Sequence, residues 1–324
     1  MRTQKALTVV ESNDFLKMNL PPRELILEPW LPKAGLCMIH AFRGIGKTHL
    51  SLMVAYTISR GGSFLEWNAP LPRNVLFVDG EMPASTLQER LAHIMGISGT
   101  ASDMIARQTE SETTPATTAP PGALKIITPD LQPQGLMPDI VTPEGQAQLN
   151  QCISEDIDLI VLDNISCLAP TIKENDASDW SPIQSWVLGL RAQGKSVLLI
   201  HHSGKGGSQR GSSKKEDVLD TVIFLERPQD YESSQGARFI VKYEKARGFF
   251  GDAAKPFEAQ LINKDDQLSW HTKSLEDSTY EKVCTLFNDG LSQKDISIEL
   301  GLNKSSISRH LYKGRQTGSL IRKE

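Results

Sequence analysis

The chain has 324 residues, 39% of them apolar, and a formal net charge of -4. That length suits one large α/β domain with a small appendage, and the charge excludes a uniformly basic nucleic-acid binder. No apolar stretch reaches the roughly 18 residues of a membrane helix. Met1-Arg2-Thr3-Gln4-Lys5 leads into no signal-peptide core, so a soluble, cytoplasmic protein without membrane partners is expected. Cys37, Cys152, Cys167 and Cys284 lack C-x-x-C spacing, which argues against a disulfide framework or a zinc site.

Residues 1–34 mix helix and turn signals with Pro21-Pro22 and Pro29-Trp30-Leu31-Pro32, and read as a lead-in arm. The apolar run Leu36-Cys37-Met38-Ile39-His40 then meets A-F-R-G-I-G-K-T, Ala41 to Thr48. This is a phosphate-binding loop in the form A-x4-G-K-T, with Ala in place of the first Gly. A helix beginning His49-Leu50-Ser51-Leu52 follows. Strand, tight loop and helix together aim backbone N–H groups and the positive end of the helix dipole at the β- and γ-phosphates. Lys47 is expected to reach those phosphates and the Thr48 hydroxyl to ligate Mg2+. Ala41, Arg43, Gly44, Ile45, Gly46 and His49 complete the expected nucleotide contacts. A nucleotide hydrolase using ATP and Mg2+ is the expectation.

Further strands are expected at 74–79, 124–127, 159–163 and 196–201, with helical patterns between most of them. Such a series makes an α/β core, 35–270, with a mostly parallel sheet covered on both faces. Within it, residues 99–122 are Thr, Ser, Pro and Ala with few apolar side chains, a composition expected of a flexible surface insertion. A second such loop is expected from Ser203 to Lys215.

Leu159-Ile160-Val161-Leu162-Asp163 is an apolar strand ending in a carboxylate, the Walker B pattern, so Asp163 is expected to hold Mg2+ through water. Val78-Asp79-Gly80-Glu81 closes another strand; Glu81 is the candidate general base, with Asp79 as the alternative. His201-His202 emerges where open α/β sheets bind ligands. His202 there serves either as a γ-phosphate sensor or as a strand cap. Adjacent strand residues point in opposite directions, which argues against metal ligation by the pair. Phe239 to Gly248 is a strand running into a basic K-x-R turn, Lys245 and Arg247.

Taken in order, A-F-R-G-I-G-K-T, V-D-G-E, L-I-V-L-D-N, L-L-I-H-H-S-G-K-G, R-G-S-S and K-A-R-G-F-F-G resemble the RecA-like ring ATPases. The likeness is greatest to hexameric replicative helicases of the RepA plasmid type and more distant to DnaB, over roughly residues 21–265. The resemblance implies that Glu81 is the catalytic base and that His202 senses the γ-phosphate and contacts the DNA-binding loop. It implies that Lys245 and Arg247 form a finger onto the neighbouring subunit's nucleotide. Arg210, in R-G-S-S, matches a recurring element of the RepA-like group. Rings of this kind carry DNA-contacting loops where Gly204 to Lys215 lies, making Lys205, Lys214 and Lys215 candidates for single-strand contacts. With roughly 35 residues before the first core strand, a DnaB-type priming domain and its partnership are not expected.

Residues 275–324 resemble a helix-turn-helix domain. Its helices are expected at 279–287, 291–300 and 304–313, with Ser292 or Asn303 as caps and Gly301 in the turn. Val283, Leu286, Phe287, Ile296, Leu300, Leu302, Ile307 and Leu311 would form its core. From Leu300 to Glu324 six basic residues stand against one acidic residue. Ser305, Ser306, Ser308, Arg309 and Lys313 are the candidate DNA contacts, on a module that binds either duplex DNA or a protein partner. Residues 318–321 are expected to begin a short wing.

The combined expectation is a ring-forming, hexameric ATP-dependent DNA motor, a replicative-type helicase of a plasmid, phage or mobile element. The alternatives are a non-unwinding ATPase of the same fold (loader, recombination mediator or switch) and a nucleotide-controlled DNA-binding regulator.

Overall fold

The structure, a computed structural model, describes residues 7–96, 120–172, 180–203, 216–264 and 267–321. Most of the expected insertion, 99–119, and the loop 204–215 with Lys205, Arg210, Lys214 and Lys215 lie outside the described residues.

A short helix α1 (Ser12–Lys17) precedes the hairpin β1 (Leu25–Leu27) and β2 (Leu31–Pro32). The core begins with β3 (Leu36–Ala41) and helix α2 (Lys47–Arg60), followed by the hairpin β4 (Gly62–Phe64) and β5 (Trp67–Ala69). Then come β6 (Val75–Asp79), α3 (Ala84–Ile94), β7 (Leu124–Ile127), α4 (Pro143–Cys152) and β8 (Leu159–Asp163). The short α5 (Ile165–Leu168), α6 (Ser181–Ala192), β9 (Ser196–His202) and β10 (Thr221–Glu226) follow. Strands β11 (Arg238–Ala246), β12 (Phe257–Lys264) and β13 (Gln267–Ser274) lead into helices α7 (Leu275–Asn288), α8 (Gln293–Glu299) and α9 (Lys304–Thr317).

Among the described residues, one sheet of nine strands runs β13-β12-β11-β10-β3-β9-β8-β6-β7. The pairings from β10 to β7 are parallel, and those from β10 out to β13 antiparallel. Strand β9 separates the phosphate-loop strand β3 from the Walker B strand β8, so all their carboxyl ends meet at one edge. This is the RecA-like core implied by the motifs. Strands β10, β12 and β13 are additions that the sequence reading left unassigned.

Because side chains alternate across a strand, β3 feeds two cores. Cys37, Ile39 and Ala41 pack with Leu50, Val54 and Ile58 of α2. Leu36 and Met38 pack on the other face with Ile183, Val187 and Leu190 of α6. A third cluster joins the terminal helices through Val283, Phe287, Ile296, Ile307 and Leu311, with Leu286, Leu300 and Leu302 against it. Ser292 accepts the Asp295 N–H at 3.2 Å and Asn303 the Ser306 N–H at 2.8 Å, capping α8 and α9. Residues 318–321 form no strand; Leu320 packs onto the helical cluster.

Candidate nucleotide site

The loop between β3 and α2 turns on Gly44 (φ 72°) and Gly46 (φ 109°), left-handed conformations that glycine adopts without a Cβ penalty. A Cβ on Gly46 would also stand 2.7 Å from the Cβ of Ala237. Lys47, the first residue of α2, curls back so that Nζ donates to the carbonyls of Ala41 (3.1 Å) and Phe42 (2.8 Å). Burial pushes its ammonium down to about 8, against the opposing pull of Asp163 and Glu81. His49, one turn in, is likewise pushed down to about 4 by burial. Ala41 and Ile45 are buried, whereas Arg43 and Gly44 stand exposed at the rim.

Asp163 ends β8 fully buried, and Ser51 Oγ donates to its Oδ2 at 2.7 Å. Burial pushes its carboxyl up to about 6, with the Ser51 and Thr48 hydroxyls opposing the rise. Asp79, its neighbour at the end of β6, is also raised by burial. One Asp79 oxygen accepts the N–H groups of Glu81 (3.0 Å) and Met82 (3.2 Å); the other, Oδ2, is buried with no hydrogen-bond partner among the described residues. Asp163 and the orphaned Asp79 oxygen, facing the Lys47 ammonium and the Arg90 guanidinium, make an oxygen-rich pocket that a hard divalent cation fits, with Thr48 and Asp163 as the residues that would hold Mg2+.

Glu81 and Asp79 do different work. Asp79 is 1% exposed and fixes the turn, whereas the Glu81 side chain is 62% exposed and projects over the phosphate loop. Asn164 Nδ2 donates to Glu81 Oε2 at 2.5 Å, and His202 Nε2 lies 3.9 Å from the same oxygen. His201, the preceding strand residue, is buried on the opposite side. A cleft of about 1100 Å³ gathers Lys47, Thr48, Glu81, Asp163 and His202, and it also takes in Arg90 of α3. Its far wall is Ser234 to Ala237 with Leu261 and Ile262 of β12.

Lys245 and Arg247 lie elsewhere. Ala246 pairs with Thr221, itself level with Cys37 near the start of β3, so the K-x-R turn sits at the amino end of the parallel strands. The six residues of β3 separate it from the phosphate loop by roughly 17–20 Å. Lys245 Nζ donates to the carbonyl of Glu216, and Arg247 donates to that of Asp217 at 3.1 Å. Both cations thus brace the chain where it returns from the undescribed loop.

On α9, Ser305 and Arg309 are exposed and Ser306 is half-buried. Lys313 is exposed as well, with its Nζ 3.4 Å from Asp277 and 4.7 Å from the Tyr280 ring centre of α7. Ser308 donates to Gln293 at 3.3 Å.

Four residues that sequence reading passed over enter this region. Ser51 serves Asp163, Asn164 orients Glu81, and Arg90 brings a half-buried guanidinium to the cleft. Arg227, after β10, donates to the Gly44 carbonyl at 2.8 Å. Asn164 was within reach of sequence, being the residue after the Walker B aspartate. Ser51, one turn beyond Lys47, was hidden by its helix-surface chemistry, and nothing local marked Arg227.

A family model described as an AAA domain matches residues 2–208, more than half of the chain. No curated protein matches it. Among solved structures, a KaiC-like protein from the hyperthermophilic archaeon Pyrococcus horikoshii OT3 is 14% identical with a TM-score of 0.48, covering 77% of this chain and 99% of that one.

Proposed function

Since this chain belongs to the AAA domain family, and is as such a nucleotide-dependent ATPase, we propose that it works as a ring-forming, Mg-ATP-driven DNA motor of the replicative helicase type. The observation that carries the reading is a separation. Lys47, Asp163, Glu81 and His202 share one edge of the sheet, while the paired cations Lys245 and Arg247 stand at the other. Cations so far from their own phosphate loop serve hydrolysis only by reaching a neighbouring copy's nucleotide, so turnover requires assembly; a hexamer is the form we propose.

In that assembly Lys47 neutralises the β- and γ-phosphate oxygens, and Glu81, steadied by Asn164, takes the proton of the attacking water. Thr48 and Asp163 would hold Mg2+, which would supply charge neutralisation at the phosphate oxygens. His202, beside Glu81, senses the γ-phosphate and hands its state to the DNA-contacting loop 204–215. Helix α9 presents Ser305, Ser306 and Arg309 to duplex DNA.

The test is strand separation on a forked duplex with ATP and Mg2+, with Glu81→Gln as control. Unwinding by the wild type alone establishes the motor and the base. Hydrolysis without unwinding shifts the reading to a loader, mediator or switch of the same fold. Tight binding to a defined duplex with slow turnover identifies a nucleotide-controlled regulator instead.

A further inference from the structure

The segment 226–238, between β10 and β11, touches the phosphate loop at two points. Arg227 Nη2 donates to the Gly44 carbonyl at 2.8 Å, and Ala237 packs so close to Gly46 that no side chain fits between them. Arg227 is itself held flat, its guanidinium carbon 3.6 Å from the centre of the Tyr231 ring, and its Nη1 is buried with no hydrogen-bond partner among the described residues. Three residues beyond Arg227, the same segment faces the terminal helices. Asp230 pairs with Lys282 at 2.8 Å and with Arg238 at 3.2 Å. Arg238, 5% exposed, pairs with Glu258 at 2.6 Å, and Glu258 accepts from Ser278 Oγ at 2.8 Å.

Ser278 and Lys282 are four residues apart, so they share one face of α7. That face is fastened to the same short segment that grips the phosphate loop. Burial makes the fastening directional: the carboxylate of Glu258 and the guanidinium of Arg238 are withdrawn from water, so neither finds a solvent substitute if the segment shifts. Phosphates entering the loop would engage its backbone N–H groups, directly beside the Gly44 carbonyl to which Arg227 is bound.

We propose that residues 226–238 are a strap coupling occupancy of the phosphate loop to the three-helix unit, with Arg227 as its positioning residue at the loop and Asp230 as its anchor on α7. The proposal rests on the nucleotide reading of the cleft. It adds a regulatory partner to that site, the chain's own terminal helices.

Amide hydrogen exchange of the full chain, with and without saturating Mg-bound non-hydrolysable ATP analogue, tests it. Nucleotide slows exchange in 227–237 and in 278–288 of the wild type. Arg227→Gln weakens nucleotide binding by about 3- to 10-fold, the net worth of one ordinary hydrogen bond, and at saturation leaves 278–288 unresponsive; Arg227→Lys restores part of the response. Lys282→Met, at a partly exposed position, binds nucleotide within about twofold of wild type and loses the response in 278–288 alone. A response that persists in both variants overturns the strap, as does nucleotide binding without any change in 278–288 of the wild type. Failure of the wild type to bind the analogue sinks the nucleotide reading itself, and the coupling with it.

Discussion

Asp79 and Asp163 are register partners at the carboxyl ends of adjacent parallel strands, and both are buried. Their proximity sets the electrostatics of the site: each carboxyl is raised by burial, and the charge of Asp79 adds to the rise at Asp163. The free site therefore disfavours the charged form of both carboxylates.

One consequence is a trade between stability and activity at Asp163. Its carboxyl is raised from 3.8 to about 6, so the folded protein binds the proton more tightly than the unfolded chain. Stability then falls as pH rises from about 4 to about 6 and stays reduced above that range. Asp163→Asn removes this loss. The variant should be more stable than wild type by roughly 2–3 kcal/mol at pH 7 and no more stable below pH 4, with hydrolysis abolished. Denaturant unfolding at both pH values checks it; equal stability at pH 7 refutes the burial argument.

Lys47 carries the opposite sign. Its ammonium, lowered to about 8, has lost half its protons at that pH in the free protein, and phosphate oxygens raise it again on binding. ATP binding at pH 8 should take up about half a proton per site, measurable by calorimetry in buffers of different ionisation enthalpy. The uptake should vanish in Lys47→Met. Lys47→Ala should abolish hydrolysis.

Arg247→Ala should lower turnover by about 10³-fold or more while leaving ATP binding intact, because its own bond is to the Asp217 carbonyl, far from the loop. Mixing Arg247→Ala with Lys47→Ala subunits should restore part of the turnover if sites are shared between copies. Normal turnover by Arg247→Ala alone would rule out the finger.

Arg309→Ala on exposed α9 should weaken duplex binding and reduce its salt slope by about 1, with ATP turnover unchanged. If affinity for every duplex is unaltered, α9 serves a protein partner.

The phosphate loop, Walker B strand and glutamate turn were legible because each is a contiguous phrase whose backbone conformation its residues dictate. Strands β3, β8 and β9 announced themselves as unbroken apolar runs. Strand β10, Thr221 to Glu226, is as apolar as these but follows a lysine-rich loop with no motif at its end, and the hairpin of β12 and β13 is half exposed. The capped helices α8 and α9 followed from Ser292 and Asn303. The place of Lys313 on α9 was readable, whereas its contacts with Asp277 and Tyr280 depend on α7 lying alongside. Likewise the contact of Arg227 with Gly44 spans 183 residues, and no local pattern encodes it.

Ser274 closes β13 and, through its side chain, caps α7. The terminal helices accordingly follow the edge strand with no intervening linker, so a change in its pitch acts on them directly. Over the 14 residues of α7, some 21 Å, a tilt of about 10° sweeps the far end through roughly 4 Å. The hairpin and helix together make a lever arm that starts at Ser274 and is steadied along its length by Ser278 on Glu258 and Lys282 on Asp230.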